Sequence, residues 1–158
     1  MIDKEERLFR LMISRSKITT PNFLKLLKHF GSIKAFYNSK EDIGSLNQFK
    51  LGSAPDEKIS TGNYVVYGEG EYPRLLYETP YPPIVLFYEG DLSLLNNDKL
   101  VSIVGTRKHS SYGSRIARNI VSNLSQDKFV FVSGMALGLD TLIHRYSLEM
   151  NAKTIAVL

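Results

Sequence analysis

Hydrophobic positions in the first 50 residues recur at helical spacing. Leu8, Leu11 and Met12 share one helical face. The segment TTPNFLKLLKHF (19–30) carries a Thr at its start, a proline in its first turn and apolar residues up to Gly31, where a helix is expected to end. A third helix is predicted from Ser32 to about Asn38, and SKEDIGSL is a candidate start for a fourth. The pattern predicts a small helical module over residues 1–50.

The next segment has a different character. Residues 51–63 (LGSAPDEKISTGN) have the composition of a linker. Short strands are predicted at YVVYG (64–68) and IVLFYEG (84–90), and four prolines make the chain between them irregular. A turn or short helix is expected at DLSLLNND.

From residue 100 onward, continuous apolar strands alternate with amphipathic helices. The strands are LVSIVG (100–105), FVFVSG (129–134) and KTIAVL (153–158), and the helices span 111–125 and about 140–150. This alternation predicts an α/β fold with a parallel sheet covered on both faces. Tyr112, Ile116, Ile120 and Leu124 form the predicted buried face of the first helix, with Ala117 and Val121 beside them. Three strands make half of a doubly wound domain, so we expect a fragment of a longer protein, with residues 64–158 as its truncated core.

Two glycine turns follow the first two of these strands, and turns at the carboxyl ends of parallel strands gather ligands. The first holds Gly105, Thr106, Arg107, Lys108 and Ser110. Its glycine, helix start and cations suit an anion, and Arg107 is the favoured phosphate contact, whereas the serines fit a helix cap as well as a phosphate contact. The second turn holds Ser133, Gly134, Ala136, Gly138 and Asp140. Asp140 is expected to cap the next helix and to contact His144.

Charge and composition limit the classes of function that the chain can have. The net charge of +4 is segregated: residues 1–50 hold ten Lys/Arg against five Asp/Glu, residues 51–98 two against eight, and residues 99–158 eight against three. Positive blocks suit a polyanion, although solvated helices explain residues 1–50 equally well. There is no cysteine, and the three histidines lack metal-ligand spacing. No signal peptide or membrane span is recognisable, so a soluble, cytoplasmic protein is expected.

Enzyme motifs are also missing. The chain has no G-x-G-x-x-G, no G-x-x-x-x-G-K-[ST], no G-x-S-x-G, and no pair of carboxylates in either turn. No catalytic residue, metal or cofactor is therefore predicted, and binding is favoured over chemistry.

The segments IVGTRKHSSYG, VSGMALGLDTLIHRYSL and KTIAVL closely resemble the DNA-processing protein A (DprA, also called Smf) family, over roughly residues 70–158. The resemblance implies an extended Rossmann-like fold, here partial, preceded by a sterile-alpha-motif-like helical module. It implies a non-enzymatic protein that binds single-stranded DNA, protects incoming strands during natural transformation and loads a RecA-type recombinase, as a homodimer at full length. The residues that it assigns to the DNA pocket are Gly105, Thr106, Arg107, Ser133, Gly134, Ala136, Gly138, Leu139 and Asp140.

Some details remain open at this point. Leu137 stands where the family often has Arg or Lys, so one phosphate contact is expected to be missing unless Lys108 compensates. Arg115 and Arg118 add charge, and Tyr112 is suited to stacking a base, although its place on the apolar face predicts core packing. The competing hypotheses are a nucleotide-processing enzyme of the nucleoside-monophosphate phosphoribohydrolase type and a protein-interaction module with a vestigial DNA surface.

Overall fold

The computed structural model describes residues 2–50 and 62–158, and its contacts divide the chain into two compact units, Met1–Leu92 and Ser93–Leu158. Of the predicted linker, residues 51–61 lie outside the described residues. The elements of the first unit are α1 (Lys4–Ser14), α2 (Thr20–Phe30), α3 (Ile33–Asn38), a 3-10 turn (Gly44–Phe49), β1 (Asn63–Val66), α4 (Arg74–Tyr77) and β2 (Val85–Tyr88). The three predicted N-terminal helices are thus confirmed, and the candidate fourth is a 3-10 turn.

Capping residues fix the ends of these helices. The Asp3 side chain accepts a hydrogen bond from the Glu6 amide at the start of α1, and Ser32 accepts one from the Ala35 amide at the start of α3. Gly31 ends α2 with a φ of 77°, a left-handed conformation that favours glycine. Local sequence therefore determines these boundaries.

The core of the first unit joins the helices to the strands β1 and β2. These two strands pair antiparallel. Phe9, Phe23 and Phe36 from the helices are buried in the same cluster as Ile84, just before β2. Residues 63–92 therefore pack with the N-terminal helices. The contacts divide the chain at residue 92, whereas the predicted domain boundary, which stays a prediction, lies at residue 63.

A buried ion pair lies within the same unit. Glu6 Oε1 lies 2.7 Å from Arg10 Nε, and both residues are buried. The Glu6 carboxylate also accepts hydrogen bonds from the amides of Ile33 (3.0 Å) and Lys34 (2.9 Å), and Arg10 donates to the Tyr67 carbonyl. A buried pair is tolerated when further hydrogen bonds satisfy both charges, as they do here. The pair thereby connects α1 to the start of α3 and to the end of the first strand.

The second unit contains the predicted parallel sheet. After a 3-10 turn at Leu92–Asn96, its elements are β3 (Leu100–Ser102), α5 (Ser111–Gln126), β4 (Val130–Gly134), α6 (Leu139–Glu149) and β5 (Thr154–Val157). The strand order is β3-β4-β5, and both pairings are parallel, with Val101 opposite Phe131 and Phe131 opposite Thr154. The α/β class with N-terminal helices and a parallel sheet is therefore confirmed.

One core lies between this sheet and its two helices. Ala117 and Val121 of α5, Ile143 and Tyr146 of α6, and Phe131 of β4 are buried together. Ser114 Oγ of α5 also lies 2.7 Å from the Tyr146 hydroxyl. Within this unit both helices therefore cover the same face of the sheet, whereas helices on both faces were expected.

Candidate nucleic-acid interface

The two glycine turns follow β3 and β4, and the structure brings them into direct contact. Gly138 has a φ of 104°, and a Cβ placed on it would lie 2.4 Å from the Thr106 carbonyl oxygen and 2.6 Å from the Arg107 Cα. The Leu139 amide donates to the Thr106 carbonyl over 3.2 Å. Only a residue without a side chain fits this approach, because the atoms it faces belong to the backbone. The backbone that carries Arg107 is therefore held against the second turn.

Gly105 makes a second close approach between the turns. A Cβ on Gly105 would lie 2.4 Å from Leu139 Cδ1 and 2.8 Å from Leu139 Cβ. The first residue of α6 thus occupies the space that a side chain at Gly105 would need. Both motif glycines serve packing between the turns, and this leaves the polar groups of the first turn facing outward.

Asp140 connects the turns from inside the protein. Its side chain is buried, and its Oδ1 accepts a hydrogen bond from the Gly105 amide over 3.1 Å. A Cβ on Gly134 would lie 2.7 Å from the other carboxylate oxygen. The prediction that Asp140 caps α6 is wrong, because the helix begins at Leu139 with Gly138 at the cap position and Asp140 lies in the first turn. From there its carboxylate reaches across to the turn after β3 instead of back to its own helix.

His144 is also part of the internal framework. Its Nε2 lies 2.8 Å from the Gly134 carbonyl oxygen, and its Nδ1 lies 2.7 Å from Thr154 Oγ1. The predicted contact with Asp140 is therefore wrong. Both ring nitrogens have partners on neighbouring strands, so the imidazole holds the end of β4 against β5.

The hydroxyl residues divide into caps and structural links. Ser110 caps α5, because its Oγ accepts a hydrogen bond from the Gly113 amide over 3.1 Å. Thr106 Oγ1 accepts one from the Lys108 amide over 3.2 Å and so tightens the first turn. Ser133 is buried and donates to the Ile103 carbonyl over 2.6 Å, which connects β4 to the residue after β3. All of these predicted site residues therefore use side-chain oxygens on the protein itself, as Asp140 does, and of them Ser133 and Asp140 are also buried.

The exposed cations of the first turn differ from these hydroxyl residues in that their side chains lack partners among the described residues. Arg107 and Lys108 are both exposed, and within residues 2–50 and 62–158 neither side chain has an ion-pair or hydrogen-bond partner. Arg118 differs, since its guanidinium lies 3.0 Å from the Glu149 carboxylate. Arg115 lies with its guanidinium carbon 5.6 Å from the centre of the Tyr112 ring. The turn therefore presents two exposed cations that form no ion pair with any described residue.

The outer face of α5 departs from the sequence prediction. Tyr112, Ile116 and Ile120 are 63%, 37% and 40% exposed, whereas Ala117 and Val121 are buried. The prediction that Tyr112 packs in the core is wrong. The small side chains of Ala117 and Val121 allow a close approach to α6, and this turns the larger side chains outward. One signal was present in the sequence: Arg115 lies three residues after Tyr112, on the same side of the helix.

The second turn adds exposed apolar side chains at its tip. Met135 is 59% exposed and Leu137 is 79% exposed. Leu137 directly precedes Gly138, which contacts the backbone of Arg107. Leu137 therefore lies on the open surface beside the cationic turn.

The described residues form neither a metal-binding cluster nor a membrane-spanning helix. In residues 2–50 and 62–158, no group of three or more His, Asp or Glu side chains is placed to hold a metal ion. In those same segments no helix combines the length and apolarity that a membrane span requires.

The family model of DNA recombination-mediator protein A matches residues 63–158. The chain belongs to this family. Protein Smf of Synechocystis is 38% identical over 117 residues, which cover 72% of this chain and 29% of that protein. DNA processing protein DprA of Bacillus subtilis is 33% identical over 96 residues, which cover 61% of this chain and 32% of that protein. The chain thus spans about a third of the length of these relatives.

The fold comparison agrees with this assignment. The X-ray structure of DNA processing protein A from Streptococcus pneumoniae matches with a TM-score of 0.72 and 25% identity, over 99% of this chain and 58% of that chain. The expected family and fold class are therefore confirmed. The glycine turns lie inside the segment that the family model matches.

Proposed function

We propose that the chain binds single-stranded DNA through the two glycine turns. One observation carries the proposal: Arg107 and Lys108 are exposed and unpaired, within the described residues, on a turn whose backbone is fixed by Gly138. Arginine grips phosphate oxygens with two parallel hydrogen bonds, and lysine adds a point charge. A fixed turn loses little freedom when it binds, which favours affinity. Gly105, Thr106, Ser110, Gly134, Ala136 and Gly138 form the surrounding surface, and Ser133 and Asp140 support it from inside.

The arrangement favours phosphate binding by side chains over binding by the glycine amide. The Gly105 amide, the first donor that an anion would meet in such a turn, already donates to Asp140. A buried carboxylate beneath the turn also disfavours an anion seated deep in it. We therefore place the phosphate groups outside the turn, against Arg107 and Lys108.

The same groups argue against catalysis at this site. Ser133, Asp140 and His144 are the side chains that a nucleotide-processing enzyme would recruit as nucleophile, acid or base. All three make hydrogen bonds to backbone or side-chain groups of the protein. Binding without chemistry therefore fits this surface better than the phosphoribohydrolase hypothesis.

Family membership extends the proposal to the whole protein. As a member of the DNA recombination-mediator family, the protein would protect incoming single strands and mediate loading of a RecA-type recombinase in transformation and recombination. We propose that it does so in the cytoplasm without enzymatic activity, as a homodimer at full length. The Bacillus subtilis and Streptococcus pneumoniae relatives are called DNA processing proteins, which is consistent with this role.

The test is a binding titration with a fluorescently labelled oligonucleotide, single-stranded and duplex, over a range of salt concentrations. Arg107→Glu is expected to weaken single-strand binding about tenfold or more, because it removes a phosphate contact and adds repulsion. Lys128→Glu is the matched control: it makes the same change of charge on an exposed residue just beyond the other end of α5, a helix of 16 residues that is about 24 Å long. Equal effects of the two variants, or a preference for duplex, would contradict the proposal.

A further inference from the structure

Tyr112 is the one large aromatic side chain that the second unit exposes among its described residues. It is 63% exposed, whereas Phe131 and Tyr146 are buried and Phe129 is half-buried. It lies in the first turn of α5, which begins directly after the loop that holds Arg107 and Lys108. Lys108 lies four positions before Tyr112, and a chain spans at most about 3.6 Å per residue. Both side chains therefore lie within the reach of a few nucleotides.

The local structure holds this ring in place. The Ser110 cap fixes the start of α5, and the Arg115 guanidinium carbon lies 5.6 Å from the ring centre. A guanidinium above one face restrains the Tyr112 ring, and the exposed surface is the part of the ring that the guanidinium does not cover. With 63% of Tyr112 exposed, a flat group can approach the part of the ring that the guanidinium does not cover.

We propose that Tyr112 is a stacking platform for a nucleobase of the bound strand. The proposal rests on the proposed function, because the phosphates on either side of that base would contact Arg107, Lys108 and Arg115. Single strands are typically held by cations that follow the backbone and by aromatic rings that stack bases, and the ring and the three cations supply both. In a duplex the faces of the bases are covered by their neighbours. Stacking on Tyr112 would therefore favour single strands over duplex DNA.

The charge distribution favours this ring over other exposed aromatic side chains. Tyr81 is 71% exposed, but it lies in the block of residues 51–98, where Asp and Glu outnumber Lys and Arg by eight to two. Tyr112 lies in the block of residues 99–158, where Lys and Arg are in excess by eight to three. A polyanionic strand is attracted to the second environment and repelled by the first.

The experiment compares a normal single strand with an abasic strand of equal length, which keeps the phosphates and lacks the bases. Tyr112→Ala is expected to weaken binding of the normal strand about tenfold and to leave the abasic strand nearly unchanged. Tyr112→Phe keeps the ring and should bind both strands as the wild type does. Tyr81→Ala is the control, which removes a tyrosine of similar exposure from the acidic block and should change neither affinity.

The outcomes separate this inference from the function on which it rests. If Tyr112→Ala weakens both strands equally, or neither, or if the wild type binds both strands equally, the stacking proposal is wrong. If Arg107→Glu leaves binding of both strands unchanged, the phosphate site itself is wrong. Circular dichroism of Tyr112→Ala shows whether the variant is folded. If it is not, Tyr112→Phe tests the stacking proposal instead, because a loss of normal-strand affinity in a variant that keeps the ring would also overturn it.

Discussion

Replacing Gly138 by alanine tests the contact on which the geometry of the interface depends. The glycine has φ 104° and ψ −132°, a region of backbone space that is essentially restricted to glycine. Its missing Cβ would lie 2.4 Å from the Thr106 carbonyl oxygen and 2.6 Å from both Arg107 Cα and the Arg107 carbonyl oxygen. These are backbone atoms, so no side-chain rotation relieves the clash, and the turn that carries Arg107 has to move.

The expected cost has two parts. Holding alanine in that conformation costs about 1–3 kcal/mol, and forcing a methyl group into a closely packed contact costs about 1–3 kcal/mol more. With a urea slope of about 2 kcal/mol per molar, a loss near the middle of that range lowers the unfolding midpoint by about 2 M. Single-strand affinity should fall as well, because Arg107 is displaced from the surface of the second turn.

Urea unfolding followed by circular dichroism is the suitable assay, since the chain contains no tryptophan. Gly113→Ala is the matched control: an added Cβ there meets only Ser110 Oγ, at 3.6 Å, and the residue is helical. That substitution should stabilise the protein by up to about 1 kcal/mol through helix propensity. If Gly138→Ala unfolds at the wild-type urea concentration while Gly113→Ala behaves as expected, the contact between the turns is not as described.

Two further predictions concern other residues. Leu137→Lys places a cation beside Arg107, so single-strand affinity should rise at low salt. The slope of log affinity against log salt should steepen by about 0.7, and an unchanged slope in the same titration would contradict this prediction. Burial, followed by the neighbouring Tyr77 and Tyr67, raises the pKa of Tyr72. The unfolded state then ionises first, so stability should fall as pH rises above about 10, and Tyr72→Phe should remove that dependence in urea midpoints measured between about pH 8 and about pH 11.

The helix boundaries show where local rules suffice. Gly31 ends α2 and Ser110 caps α5, as the sequence rules for helix termini require. The alternation of apolar strands with amphipathic helices likewise predicts the parallel sheet, because a strand buried in such a sheet needs apolar residues in succession. The strands themselves are shorter than predicted: LVSIVG contains three strand residues, Leu100–Ser102, and its last residues lead into the glycine turn.

The hydrogen-bond partners of Asp140 and His144 show where local rules fail. Asp140 occupies a position that suits a cap, yet its carboxylate binds the amide of Gly105, 35 residues earlier. His144 is one helical turn from Asp140, yet it contacts Gly134 and Thr154. In both cases the partners lie in, or shortly after, strands of the sheet, and their distance from α6 depends on strand order and register, which no local pattern contains.

By itself the sequence determined the order of helices and strands, the family, and the positions of two glycine turns with Arg107 and Lys108 in the first. These features follow from residue types at short spacings, where backbone preferences and periodicity act. Only the tertiary structure decided that the turns interlock at Gly138, and that Tyr112 faces outward while Ala117 and Val121 face α6. Two apolar stripes on α5 satisfy the same periodicity, and the smaller one is buried because it permits closer packing of the helices.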